Sequence, residues 1–152
     1  MTLNIRPLCP LSNDPTDLSC LTPGHFLIGA PLTTFPDKDV PTTPTNRLSR
    51  WELCTKLQQD FWKRWSVEYL NNLQNKPKWL KPNPNLKVND LVLLKENNSP
   101  PLNWRRARIL KVYPGPDNRV RVVDLKTRDG VFTRPISKVC PLPEISDSKT
   151  LQ

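Results

Sequence analysis

The chain has 152 residues, with 23 Lys and Arg against 14 Asp and Glu (net charge +9), one His, four Cys, four Gly and 18 Pro. Proline at about one residue in eight excludes a continuous helical bundle. Four glycines, with neither GxGxxG nor GxxxxGK[ST], argue against a doubly wound nucleotide-binding fold. The uncharged stretch GHFLIGAPLTTFP carries two prolines and falls short of the ~20 apolar residues of a membrane span. The opening MTLNIRPLCP lacks the basic leader and apolar run of a signal peptide, so an intracellular chain with reduced thiols is expected.

Charge and proline divide the chain. Residues 1–45 hold eight of the 18 prolines and are net −2, while 46–85 are +5, 86–143 are +7 and 144–152 are −1. A localised positive charge favours a polyanionic partner, nucleic acid first. In the first segment, Asn13-Asp14-Pro15 and Pro23-Gly24 read as turns, and the apolar stretch from His25 to Leu32 finds no partner within the segment. An extended tail is expected there.

Residues 46–76 predict one long helix. No proline or glycine interrupts 46–74, and Leu57, Phe61, Trp65 and Tyr69 fall on one ridge, with Cys54, Trp62 and Leu73 beside it. Asn46 or Ser49 serves as N-cap, Ser49 being three residues before Glu52 as a capping box requires. Residues 77–85 form a Pro-rich basic linker.

From 86 to 143 the period changes to that of short strands, expected over 86–95, 105–113, 119–127 and 131–134, with a last one near Cys140. Asn89-Asp90 makes an early bend, 97–103 a loop, 114–118 a turn and Arg128-Asp129-Gly130 a tight turn with Gly130 at positive φ. A short 3₁₀ turn is expected over 136–139. The fold class is α+β: a Pro-rich extended N-terminal segment, one long helix, then a small all-β barrel of four or five antiparallel strands. Residues 144–152 read as a disordered tail.

No catalytic constellation emerges. His25 is the one histidine, in a stretch bounded by Pro and Gly, and Asp14, Asp17, Asp37 and Asp39 sit in loops beside prolines. The cysteines, Cys9, Cys20, Cys54 and Cys140, lack CxxC spacing, so no zinc site and no cofactor is expected.

A nucleic-acid surface is better supplied. Trp104 adjoins Arg105, Arg106 and Arg108 at a strand entry, and Lys111 follows. Alternation would send Arg119 and Arg121 to one face and Val120 and Val122 to the other. Lys126, Arg128 and Arg134 extend the positive surface, with Lys63, Arg64, Lys78 and Lys81 assisting. Guanidiniums suit phosphate forks and an indole can stack on a base or sugar. No base-reading helix is apparent, so binding through the backbone is expected. The aromatic helix must bury its rings, against the barrel, a second copy or a larger protein.

These residues carry a resemblance. Asn4-x-Arg6-Pro7-Leu8, Leu11-Ser12-Asn13-Asp14-Pro15 and the run from Leu21 to Gly29 are followed by Asn46-Arg47-Leu48-Ser49-Arg50-Trp51, Phe61-Trp62-Lys63-Arg64-Trp65 and Leu86-Lys87-Val88-Asn89-Asp90-Leu91-Val92. Pro114-Gly115-Pro116-Asp117 and the run from Arg134 to Leu142 close the series. Over 3–143 the chain resembles the C-terminal end of the integrase in Pao/BEL-type LTR retrotransposon polyproteins. Position 5 is Ile where that family often has Ser, and Asn89 stands where Gly is commoner.

The resemblance implies that 1–45 is the end of an integrase core and that 86–143 is an SH3-like DNA-binding barrel. It also implies that the two Asp and one Glu that bind Mg²⁺ in such integrases lie upstream of Met1. The expected role is then non-catalytic binding of duplex DNA, element ends or target, during integration, in the nucleus. Neither a membrane nor a small-molecule substrate is expected as partner. The competing reading is a Tudor- or chromo-like module that recognises chromatin, for which Trp104, Tyr113 and Phe132 would have to form an aromatic cage.

Overall fold

The computed structural model describes residues 2–32, 44, 46, 48–74, 85–96 and 103–143. A single 3₁₀ turn, Thr2–Ile5, leads into a two-stranded ribbon of β1 (Cys9–Pro10) and β2 (Cys20–Leu21). Helix α1 follows over Pro23–Ile28 and the long helix α2 over Arg50–Leu73. The sheet contains β3 (Leu91–Leu94), β4 (Arg106–Pro114), β5 (Val120–Thr127), β6 (Gly130–Pro135) and β7 (Val139–Pro141), with a 3₁₀ turn, Ile136–Lys138, before β7. The fold is α+β, as the sequence predicts.

α2 starts where its cap chemistry is complete. Ser49 Oγ accepts from Glu52 N–H, and Glu52 Oε2 accepts in return from Ser49 N–H at 2.8 Å and Ser49 O–H at 2.7 Å. That exchange holds the Glu52 carboxyl below its ordinary pKa, chiefly through the Ser49 side chain. The helix therefore begins at Arg50, not at Asn46. Its predicted end at 75–76, all of the linker 77–85 but Asn85, most of the loop 97–103 and the tail 144–152 lie outside the described residues.

In the N-terminal segment, Pro23-Gly24 opens a helix rather than a turn. Proline fits the first helical position, where its missing N–H has no partner to lose. Gly29 ends α1 at φ 73°. The turn expected at Asn13-Asp14-Pro15 forms over 14–17, with Asp14 Oδ1 accepting from Thr16 N–H and O–H.

Strand order in the antiparallel sheet is β6-β5-β4-β3-β7, a meander whose last strand returns beside its first. The expected barrel takes the form of an open sheet, since β6 and β7 do not pair among the described residues. Asn89 carries the bend before β3 at φ 78°, and Gly130 the β5–β6 turn at φ 138°. β3 is buried at every position because both faces are covered. Val92 and Leu94 point into one cluster with Ala107, Ile109, Val123, Leu125 and Val139. Leu91 and Leu93 point the other way, into a second cluster with Cys20, Leu70, Cys140 and Leu142. The second cluster joins α2, the N-terminal segment and the outer face of the sheet.

The segment predicted as a coreless tail is thus packed against the sheet. Tyr69 of α2 donates to Pro7 O at 2.6 Å, Gln74 donates to Ser137 O at 2.7 Å, and Asn89 donates to Asn13 O at 2.8 Å. Burial raises the Tyr69 pKa above that of an ordinary phenol.

Candidate nucleic-acid interface

The cationic residues singled out in the sequence separate into a covered group and an open group. Arg108 is the extreme of the covered group, with 2% of its surface exposed. Its Nε donates to Asp17 O at 2.8 Å, one terminal nitrogen to Asn89 O at 2.8 Å and the other to Ser12 O. A guanidinium suits this position because its fixed fork serves three carbonyls at once. Arg108 is an internal fastener of the N-terminal segment, and the expectation that it contacts DNA is corrected.

Trp104 is half-buried. Its ring lies edge-on to Trp62 at 4.9 Å, Tyr69 at 5.4 Å and Trp65 at 5.9 Å. Trp65 stacks on Tyr69 at 5.5 Å, and Trp62 is 3% exposed. The cluster takes up Trp65 and Tyr69 of the α2 ridge together with Trp62, and leaves Leu57 and Phe61 exposed. The indole predicted to stack on a base is held edge-on among these rings. Among the described residues its buried Nε1–H has no hydrogen-bond partner.

Arg105, Arg106 and Arg128 meet around a cleft of about 500 Å³ at the seam between the N-terminal segment and the sheet, where Asp17, Ser19 and Trp104 also line the wall. Arg105 divides its charge between Glu96 at 3.2 Å and Asp129 at 3.7 Å. Arg106 is half-buried and donates to Cys20 Sγ at 3.4 Å. Burial raises the Cys20 thiol, and Arg106 opposes that shift. Arg128 is exposed, with no ion-pair partner among the described residues.

The open group follows the β4–β5 ladder. Register sets Lys111 opposite Asp124, and Asp124 opposite Thr133 on β6. Asp124 accepts from Tyr113 O–H at 2.7 Å and from Thr133 O–H at 2.6 Å. The Thr133 and Tyr113 hydrogen bonds hold its carboxyl below the usual range, and the Asp124 bond raises the Tyr113 phenol. Lys111 Nζ stands 5.0 Å from the centre of the exposed Tyr113 ring. Lys126, half-buried, lies opposite Arg108 at the border between the two groups.

At the far end, Arg119 is exposed, with no ion-pair partner among the described residues, and Arg121 pairs with Asp117 at 3.1 Å. That hydrogen bond is the main cause of the lowered Asp117 pKa. The predicted alternation around Arg121 is interrupted. Tyr113 pairs with Val122 and Pro114 with Val120, leaving Arg121 at a β-bulge; a second irregularity skips Leu110.

Arg134 departs from the open group. It lies opposite Val123, whose side chain faces the core, and its guanidinium stands 5.6 Å from the centre of the Phe132 ring. Lys63 and Arg64 are exposed on α2, with Arg64 paired to Glu68 at 3.3 Å. Lys78 and Lys81 lie outside the described residues. Tyr113, weighed in the sequence only as a cage residue, is the exposed aromatic ring beside the open cations. Its two-residue spacing from Lys111 on a predicted strand was the available signal.

His25 has a local structural task, its Nδ1 accepting from Thr22 N–H at 3.1 Å. Trp104, Tyr113 and Phe132 do not converge into a cage, being placed in the α2 cluster, on the outer face of β4 and on β6 opposite Leu125. Among the described residues, no helix is long and apolar enough to cross a membrane.

Residues 49–142 match the Family of unknown function (DUF5641), and the chain belongs to that family. No curated protein and no solved structure matches the chain.

Proposed function

We propose that this DUF5641 chain is a non-catalytic DNA-binding module, the C-terminal part of a retroelement integrase, which holds duplex DNA by its phosphates during integration in the nucleus. The observation that carries the reading is the cationic run of Lys111, Arg119 and Arg121 at the open end of the β4–β5 ladder, continued by the half-buried Lys126 and by Arg128 at the edge of the cleft, with Tyr113 exposed beside Lys111. β5 spans about 25 Å, less than the ~34 Å of one duplex turn. The run therefore suits phosphates within a single turn. Ion pairs as exposed as Arg121–Asp117 are weak, so Arg121 can exchange its carboxylate for a phosphate at little cost.

The retroelement assignment rests on the ordered motifs across 3–143, and the α+β fold is the one that resemblance leads one to expect. In such integrases the Mg²⁺-binding carboxylates belong to the core, so the role proposed for this segment is to hold DNA. Fluorescence anisotropy with a duplex of about 20 base pairs tests the proposal. The chain should bind at low salt, bind an unrelated duplex comparably and leave both uncut when Mg²⁺ is added. Absence of binding at low salt overturns the reading.

A further inference from the structure

We infer that α2 is also a homodimer interface, in which two copies of the chain pair their α2 helices antiparallel through an exposed stripe centred on Leu57 and Phe61 that borders the aromatic cluster at the half-buried Trp65. This inference stands apart from the DNA-binding proposal. Trp62, Tyr69, Leu70 and Leu73 turn towards the sheet and the N-terminal segment. A neighbouring stripe carries Arg50, Leu53, Cys54, Leu57, Phe61, Arg64, Trp65 and Glu68 at successive spacings of one to four residues along the helix. Leu57 is 60% exposed and Phe61 49%, an apolar step bounded by charge at both ends.

The stripe is complementary to itself in one orientation. Consider an antiparallel pair with its two-fold axis level with Gln59. Leu57 then meets Phe61 of the second copy, and the half-buried Leu53 meets Trp65. Arg50 meets Glu68, and the same contacts repeat across the axis. In a parallel pair in register, Arg50 would instead face Arg50 and Glu68 would face Glu68. Like charges at both ends disfavour that arrangement. The Arg64–Glu68 pair within one helix is no obstacle, since its side chains are 86% and 61% exposed and such a pair holds loosely. A single helical seam lies at the small end of stable interfaces, so the dimer should form in the micromolar range.

Sedimentation velocity of the full chain between about 1 and 200 μM tests this. A concentration-dependent dimer is expected, and Phe61→Glu should remain monomeric throughout while keeping its helical circular dichroism, because Phe61 is not part of the buried clusters. Arg50→Glu and Glu68→Arg should each weaken dimerisation about tenfold or more, and the two together should restore it. A chain that is monomeric across the range, a dimer that survives Phe61→Glu, or a double charge exchange as weak as either single change would each overturn the inference.

Discussion

Arg108 and Arg121 occupy adjacent strands of one sheet and carry the same guanidinium, yet one is sealed and the other is open. Arg108 lies under residues 12–17 and spends its donors on three main-chain carbonyls. Arg121 stands at a bulge beside a turn, with one exposed carboxylate partner. What distinguishes them is cover: the N-terminal segment and α2 close one part of the outer face and leave the β4–β5 end bare. A cluster of basic residues in a sequence is thus a mixed population, part fastener and part binding surface.

The widest gap between the two regions should be in stability. Arg108→Met removes the donors of three carbonyls beneath the N-terminal segment and should cost about 3 kcal/mol by urea unfolding. Arg108→Lys should recover only part of that, because an ammonium on a flexible stem cannot reproduce the fork. Arg121→Ala should change stability by less than about 0.5 kcal/mol. Equal losses at the two sites would break the comparison.

Thiol chemistry sharpens the same boundary at smaller cost to the molecule. Cys54 is exposed on α2, whereas Cys140 is buried and its pKa is pushed up to about 11 by desolvation. A maleimide at neutral pH should label Cys54 first and reach Cys140 only when the chain unfolds. Labelling of Cys140 in the native chain would place its outer face in contact with solvent.

The smallest expected effect is on acid stability. Asp117 and Asp124 in the open region, and Asp14 and Asp17 in the covering segment, all have lowered pKa values, set mainly by hydrogen bonds. A depressed folded pKa contributes stability that is present above the unfolded value of 3.8 and is lost as pH falls through the folded value. Thermal melts should therefore be insensitive to these groups near neutrality and should fall only below about pH 4. Asp124→Asn should flatten that acid limb slightly. A transition near pH 6 would point to some other group.

Local chemistry was legible in the sequence, and long-range cover was not. The Ser49–Glu52 capping box, the Asn89 bend and the positive φ of Gly130 each follow from residues within a few positions of one another. Pro23-Gly24 was misread because the pair suits a turn as well as a helix start, and only the helical turn after it decides. The bulges at Leu110 and Arg121 were hidden because strict alternation leaves no place for an extra residue. The fates of Arg108 and Trp104 depended on partners remote in the chain: the carbonyls of Ser12 and Asp17 for one, the rings of α2 for the other. No local pattern marks an arginine that will be covered by a segment some ninety residues away in sequence.

The central claim, that the open β4–β5 run and not the covered arginines meets DNA, is tested most directly by the salt dependence of duplex binding between about 50 and 300 mM. Five phosphate contacts predict a slope of log K against log salt near −4.5, at about −0.9 per contact. Arg119→Ala with Arg121→Ala should reduce the slope by about 2, while Arg105→Ala, whose charge is already divided between Glu96 and Asp129, should leave it nearly unchanged. A slope unaffected by the Arg119 and Arg121 changes but lowered by Arg105→Ala would contradict the account and move the interface to the cleft beside the N-terminal segment.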